Sequence, residues 1–146
     1  MKVKVLLKVV MKKAFRKLLG LRITPEEAFL SWDYMRHNQR RQEHLASLGL
    51  DIRGSTVLEV GAGIGDHTSF FLDRDCRVVT SDAREENLKQ LRRRYPDIEV
   101  RRLDLDSPPS TFDGAFDIVY CYGLLYHLQN PAGATPYLVH AGEALC

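Results

Sequence analysis

Cysteine is scarce in this chain, and what there is has no useful arrangement. Cys76, Cys121 and Cys146 are scattered and odd in number. They form no C-x-x-C pair and no His/Cys set at zinc spacing, so neither a disulfide framework nor a metal site is expected. Cys76 and Cys121 sit in apolar runs and read as buried free thiols, which fits a reducing, cytoplasmic compartment. Long apolar runs are missing too: none approaches the ~20 residues of a membrane span. Lys8, Lys12 and Lys13 break up any signal-peptide core. Internal repeats and low-complexity tracts are absent, which sets aside solenoids and fibrous folds.

Acid is wholly absent from residues 1–20, which carry seven Lys/Arg. On a helical wheel Val3, Leu6, Leu7, Val10, Met11, Ala14 and Leu18 share one arc and most of the basic residues take the other. Residues 1–22 therefore read as a basic amphipathic helical extension. Either it packs its apolar stripe on the domain, or it lies on an anionic membrane surface as a peripheral contact.

The remainder is ordinary for a soluble domain. The 146 residues are 45% hydrophobic and 27% charged, enough for one domain with a real core. The net charge of +2 conceals an asymmetry, with 12 Lys/Arg against 5 Asp/Glu over residues 1–56 and 9 against 14 over residues 57–146. The acidic part holds the motifs described next, so no nucleic-acid partner is expected for it.

Thr24-Pro25-Glu26-Glu27 starts a helix, with an N-cap threonine, a first-turn proline and a glutamate three residues on. It is expected to run to about Leu48, ending near Gly49. Its middle, residues 34–44, is dense in polar donors; a solvated face explains most of them, although such a helix often covers a ligand. Strands are then expected over 56–60, 76–82, 98–103 and 116–122, with helices over 66–72 and 84–95 between them. A last helix is expected from Asn130-Pro131 to Leu145, so the chain would stop after four strands. Alternating strand and helix implies a parallel sheet wound with right-handed crossovers. Cut off after four strands, the sheet would leave the fourth with an unpaired edge, a route to self-association.

The densest signal is V-L-E-V-G-A-G-I-G over residues 57–65. Three glycines at alternate positions, directly after an apolar strand, suggest a loop that lies against a nucleotide-like ligand. Asp66 stands where the dinucleotide pattern G-x-G-x-x-G wants its third glycine, and Glu59 precedes the loop by two residues. Carboxylates there would repel a pyrophosphate, so a nicotinamide-dependent oxidoreductase is disfavoured and a nucleoside without phosphates is favoured. Asp82, about 20 residues past the first glycine, can accept both hydroxyls of a ribose. Asp104, one strand further on, suits an exocyclic amine of a base, though Asp106 is near enough to share a turn with it. Cys121-Tyr122-Gly123 completes a series of four features at strand carboxyl ends, where open α/β sheets bind ligands.

This succession resembles the class I S-adenosylmethionine-dependent methyltransferases over residues 55 to about 140. Glu59, Gly61, Gly63 and Gly65 match their first motif. Asp82 matches the ribose-binding acid, Asp104 the acid near the adenine, and FDIVYCYGLLYHL (residues 116–128) the strand that leads to a leucine-histidine pattern. The resemblance implies a Rossmann-like fold over residues 23–146, incomplete at its C-terminus. It implies S-adenosyl-L-methionine as cofactor and methyl transfer to a small-molecule or sugar-type acceptor. The cofactor would be bound by Glu59, Gly61, Ala62, Gly63, Gly65, Asp82, Ala83, Asp104, Leu105 and Tyr122. Ile64, Arg84 and Leu105 would flank the adenosine, and Tyr122 and Tyr126 would line the transfer pocket. His127 is the candidate catalytic base; His37 and His44 on the preceding helix are weaker ones. The alternative from another class is a non-catalytic cofactor-binding fragment that needs a partner or the missing strands.

Overall fold

The computed structural model describes residues 25–109, 115–141 and 143–145. The basic segment 1–20, the helix cap at Thr24 and the loop around Asp113 and Gly114 lie outside them. Two helices come first, α1 (Pro25–Phe29) and α2 (Trp32–Ser47). Strand β1 (Thr56–Val60) follows, then α3 (Thr68–Leu72), β2 (Arg77–Asp82), α4 (Glu85–Arg94), β3 (Glu99–Arg102) and β4 (Ile118–Cys121). A 3-10 turn at Leu125–His127 leads to α5 (Pro131–Ala141) and β5 (Glu143–Leu145).

The strands form one all-parallel sheet in the order β3-β2-β1-β4-β5. Parallel pairing is buried on both faces, so its strands read as continuous apolar runs, and side chains still alternate between the faces. Val57, Ile118 and Tyr120 face a cluster with Leu45, Phe70 and Phe71. Leu58, Val60, Val119 and Cys121 face the other, with Leu103, Ala134 and Leu138. Phe71, Leu88 and Leu91 are wholly buried, and each such side chain stabilises the fold by about 2 kcal/mol. Cys76 and Cys121 are buried free thiols, as expected.

Two sequence expectations need correction. The single helix expected over 24–48 is two, because the Ser31 hydroxyl accepts a bond from the Tyr34 amide at 3.4 Å and starts a new helix. The last helix, expected to reach Leu145, ends at Ala141, and residues 143–145 pair with β4 instead. The sheet thus has one strand more than the four counted in the sequence. With β1 on one side and β5 on the other, β4 is paired on both sides rather than open.

Chain direction across the sheet reverses between β1 and β4: β2 and β3 are laid down to one side of β1, β4 and β5 to the other. Such a reversal leaves a crevice outside the strand carboxyl ends. All four sequence landmarks lie at that end.

Candidate functional site

The crevice is a cleft of about 490 Å³. Gly61 and Gly63 line it from the β1 loop, Asp82, Ala83 and Arg84 from the end of β2, and Asp104, Leu105 and Asp106 from the segment after β3. Tyr122, Leu124, Tyr126 and His127 line it after β4. Ala28, Phe29, Tyr34 and Arg41 reach it from the two N-terminal helices.

The β1 loop is held from two sides. The Ala62 amide donates to the Ser81 carbonyl at 2.9 Å, and the Gly63 amide donates to Asp82 Oδ2 at 3.0 Å. Gly63 has φ +61°, and a Cβ there would stand 2.9 Å from the Phe29 ring, so both conformation and space call for glycine. Gly65, at φ +82°, is placed differently. A Cβ there would press on Tyr95 and Leu91, the Tyr95 hydroxyl donates to its carbonyl at 2.7 Å, and it lines no part of the cleft. Gly65 therefore seats the loop on α4 instead of facing a ligand.

Asp82 does two jobs. Oδ2 takes the Gly63 amide, while Oδ1 accepts from the Arg84 amide at 2.9 Å and from Asn87 Nδ2 at 3.0 Å. A carboxylate offers about four acceptor positions. Three are used, so Oδ2 keeps one toward the cleft. Asp104 is exposed; its Oδ1 accepts from the Asp106 amide at 3.0 Å, and Asp106 Oδ1 accepts from the Gln129 amide at 2.7 Å. Both acids thus shape the turn after β3, and Asp104 still borders the cleft beside buried Leu105. His127 is exposed at the cleft margin, its ring 4.3 Å from that of Tyr126. His37 and His44 lie exposed on α2 outside the lining.

Beside the cleft lies a smaller polar recess of about 30 Å³, lined by Asn38, Glu59, Val60, Ala62, Asp66, His67 and Tyr120 together with residues it shares with the cleft. Glu59 is buried, and its Oε2 accepts from Thr68 Oγ1 at 2.5 Å and Thr80 Oγ1 at 3.2 Å. Burial pushes its carboxyl up to about 7, against the lowering effect of the two hydroxyls. His67 Nδ1 lies 2.6 Å from the Tyr120 hydroxyl, and Nε2 is buried with no partner. Burial first, then the nearby Arg41 charge, hold this imidazole down at about 4. Burial also raises Tyr120 above the usual phenol range.

Several residues here escaped the sequence reading. Tyr34, Asn38 and Arg41 stand on one face of α2, at i, i+4 and i+7. Arg41 lies 5.3 Å over the Tyr122 ring and donates to Asn38 Oδ1 at 3.4 Å, while Asn38 Nδ2 donates to Asp66 Oδ2 at 3.0 Å. Asp66 is fixed further by Arg94 at 2.8 Å, and its carbonyl by Gln42 Nε2 at 2.5 Å. The i, i+4, i+7 spacing above buried Leu45 was the available signal. His67, Tyr120 and Asn87 carried none.

In chemical terms, a carboxylate with one free acceptor position sits midway along the cleft and a second carboxylate marks one end. A recess lined by the Arg41 guanidinium and the buried acid Glu59 marks the other. That order suits a ligand with a base, a hydroxylated middle and a zwitterionic end.

Comparison with known proteins gives the same direction. A family model described as a methyltransferase domain matches residues 57–138. Over 66 residues the chain is 35% identical to a cypemycin N-terminal methyltransferase from a Streptomyces species, covering 45% of this chain and 27% of that protein. Among solved structures it is similar to the magnesium protoporphyrin IX methyltransferase of Synechocystis PCC 6803 with bound SAM, with a TM-score of 0.60 and 17% identity over 75% of this chain and 54% of that one. It is also similar to the PH0226 protein of Pyrococcus horikoshii, with a TM-score of 0.62 and 17% identity over 80% of this chain and 56% of that one. The chain thus spans a little over half the length of these two structures and about a quarter of the curated relative.

Proposed function

Because the chain belongs to the methyltransferase-domain family, we propose that its cleft binds S-adenosylmethionine and serves methyl transfer to a small-molecule or sugar-type acceptor. The observation that carries this reading is Asp82, which ends β2 in the cleft, ties down Gly63 and keeps one acceptor position free. Ribose hydroxyls would take that position. Asp104 and Leu105 would meet the adenine, and the Gly61 and Gly63 backbone would lie along the methionyl part. In the recess Arg41 would pair with the amino acid's carboxylate, and Glu59 would orient its ammonium group.

When bound, S-adenosylmethionine supplies a methyl group on a positively charged sulfur, which an in-line nucleophile removes while the charge disappears. The chain's contribution is mostly alignment, which can lower such a barrier by about 7 kcal/mol or more. Tyr122 and Tyr126 offer aromatic faces that suit a cation. His127, exposed at the margin, would accept a proton from an acceptor that must lose one.

A second reading is a cofactor-binding unit that turns over only with further strands or a partner, and the partial coverage of the relatives favours it. Incubating the chain with methyl-labelled S-adenosylmethionine and a panel of hydroxyl, amine and carboxylate acceptors separates the two. Label transfer with release of S-adenosylhomocysteine is the expected result. Tight binding with no transfer to any acceptor class would favour the second reading, and no binding would overturn both.

A further inference from the structure

The turn between α1 and α2 exposes an unusual amount of apolar surface. Trp32 is 76% exposed, Leu30 58% and Met35 51%. Trp32, Met35 and exposed Arg36 fall at i, i+3 and i+4 and share one face of α2, with Arg40 on the next turn. The opposite face supplies Tyr34 and Arg41 to the cleft. The apolar corner therefore stands on the outer face of the helix whose inner face lines the cleft, with cleft residues Phe29 and Tyr34 next to Leu30 and Met35 in sequence. Scattered exposed leucines need no account, but a tryptophan, a leucine and a methionine grouped in six residues do.

Charge identifies the occupant. Residues 21–56, which hold the corner, carry five Lys/Arg against five Asp/Glu, and the basic charge comes from the segment before them, residues 1–20, with seven Lys/Arg and no acid. Tryptophan favours the level of lipid headgroups, and arginine beside it adds attraction to anionic lipid. Among the described residues no helix is long and apolar enough to cross a membrane.

We propose that the Leu30–Trp32–Met35 corner docks on an anionic lipid bilayer and holds α2, whose other face lines the cleft, at the membrane surface. An acceptor reaching the cleft from that side would be amphiphilic, with its reactive group near the headgroups. The docking goes beyond the methyl-transfer reading and can be tested without cofactor, so the two stand or fall separately.

Trp32 is the chain's one tryptophan, which makes its emission a direct reporter. The full chain is mixed with phosphatidylcholine vesicles with and without phosphatidylglycerol. With the anionic vesicles, the emission is expected to shift to the blue, lose its quenching by iodide and gain quenching from acyl-brominated lipid. Leu30→Ser with Met35→Ser should lower vesicle partitioning at least about fivefold, with unchanged circular dichroism and unchanged S-adenosylhomocysteine affinity. Vesicle binding with Trp32 still open to iodide would overturn the proposal, since residues 1–20 would then bind alone. So would binding that needs no anionic lipid. Emission already blue-shifted before vesicles are added would overturn it as well: in a dimer by assigning the corner to a second copy, in a monomer to the chain's own covered surface.

Discussion

Asp82→Ala is expected to weaken S-adenosylhomocysteine binding at least tenfold while lowering stability by about 2–6 kcal/mol. The loss of stability follows from three donors left behind. The Gly63 amide and Asn87 Nδ2, both buried, and the part-buried Arg84 amide all lose their acceptor, and each buried donor left unpaired costs about 1–3 kcal/mol. Disturbing the loop and losing the ribose contact both reduce affinity, so a second ligand is needed to tell them apart. A 2′-deoxy analogue should bind wild type more weakly than the parent nucleoside does, and the variant should no longer distinguish the two. Calorimetric titration of both proteins with both ligands, after circular dichroism has shown the variant to be folded, measures this. Unchanged affinity in a folded variant, or discrimination that survives the substitution, would refute the ribose assignment.

The second large effect concerns two buried groups whose titrations oppose each other. Glu59 is raised to about 7 from 4.5, so its folded form prefers the proton. Its contribution to stability is full below about 4.5 and is lost as pH rises through 7, by about 3 kcal/mol in all. His67 is lowered to about 4 from 6.5, so its folded form prefers to be neutral. Its contribution is full above 6.5 and is lost as pH falls toward 4, again by about 3 kcal/mol. Between pH 4.5 and 6.5 the two nearly cancel in the wild type. Glu59→Gln should expose the histidine, with stability rising with pH relative to wild type across that window. His67→Gln should expose the acid, with stability falling relative to wild type from about pH 4 to 6.5 and running parallel to it above that. Urea unfolding of the three proteins at a series of pH values reads this, because the other titrations are common to all and drop out of the differences. Parallel curves would mean that these two groups are not held as their burial implies.

Both effects start from features of unequal visibility in the sequence. The strand and loop at 57–65 could be read directly, since an apolar run, a buried acid and alternating glycines are contiguous. Asp82 and Asp104 were legible because each closes an apolar run, and both line the cleft. Their roles as loop tie and turn residue depend on partners 19 and 2 residues away, and only the longer link lay beyond local inspection. Gly65 looked like its two neighbours; what sets it apart is Tyr95, 30 residues on. The break between α1 and α2 had a signal in Ser31 followed by Asp33, but helical periodicity ran on through it. β5 had almost none, because Glu143, Ala144 and Leu145 are better helix formers than strand formers. Its pairing comes from the open edge of β4, and a sequence window does not contain that edge. The same reason hid Tyr34, Asn38 and Arg41 as site residues: their spacing is helical, but which face covers the cleft is settled by packing.

The account depends most on the claim that the cleft holds a nucleoside with an amino acid end and no phosphates. Calorimetric titration of the full chain with S-adenosylhomocysteine, and separately with NAD, tests it most directly. Saturable binding of the homocysteine nucleoside with no detectable heat from NAD is the expected result. Binding of NAD without binding of S-adenosylhomocysteine would contradict the account at its base.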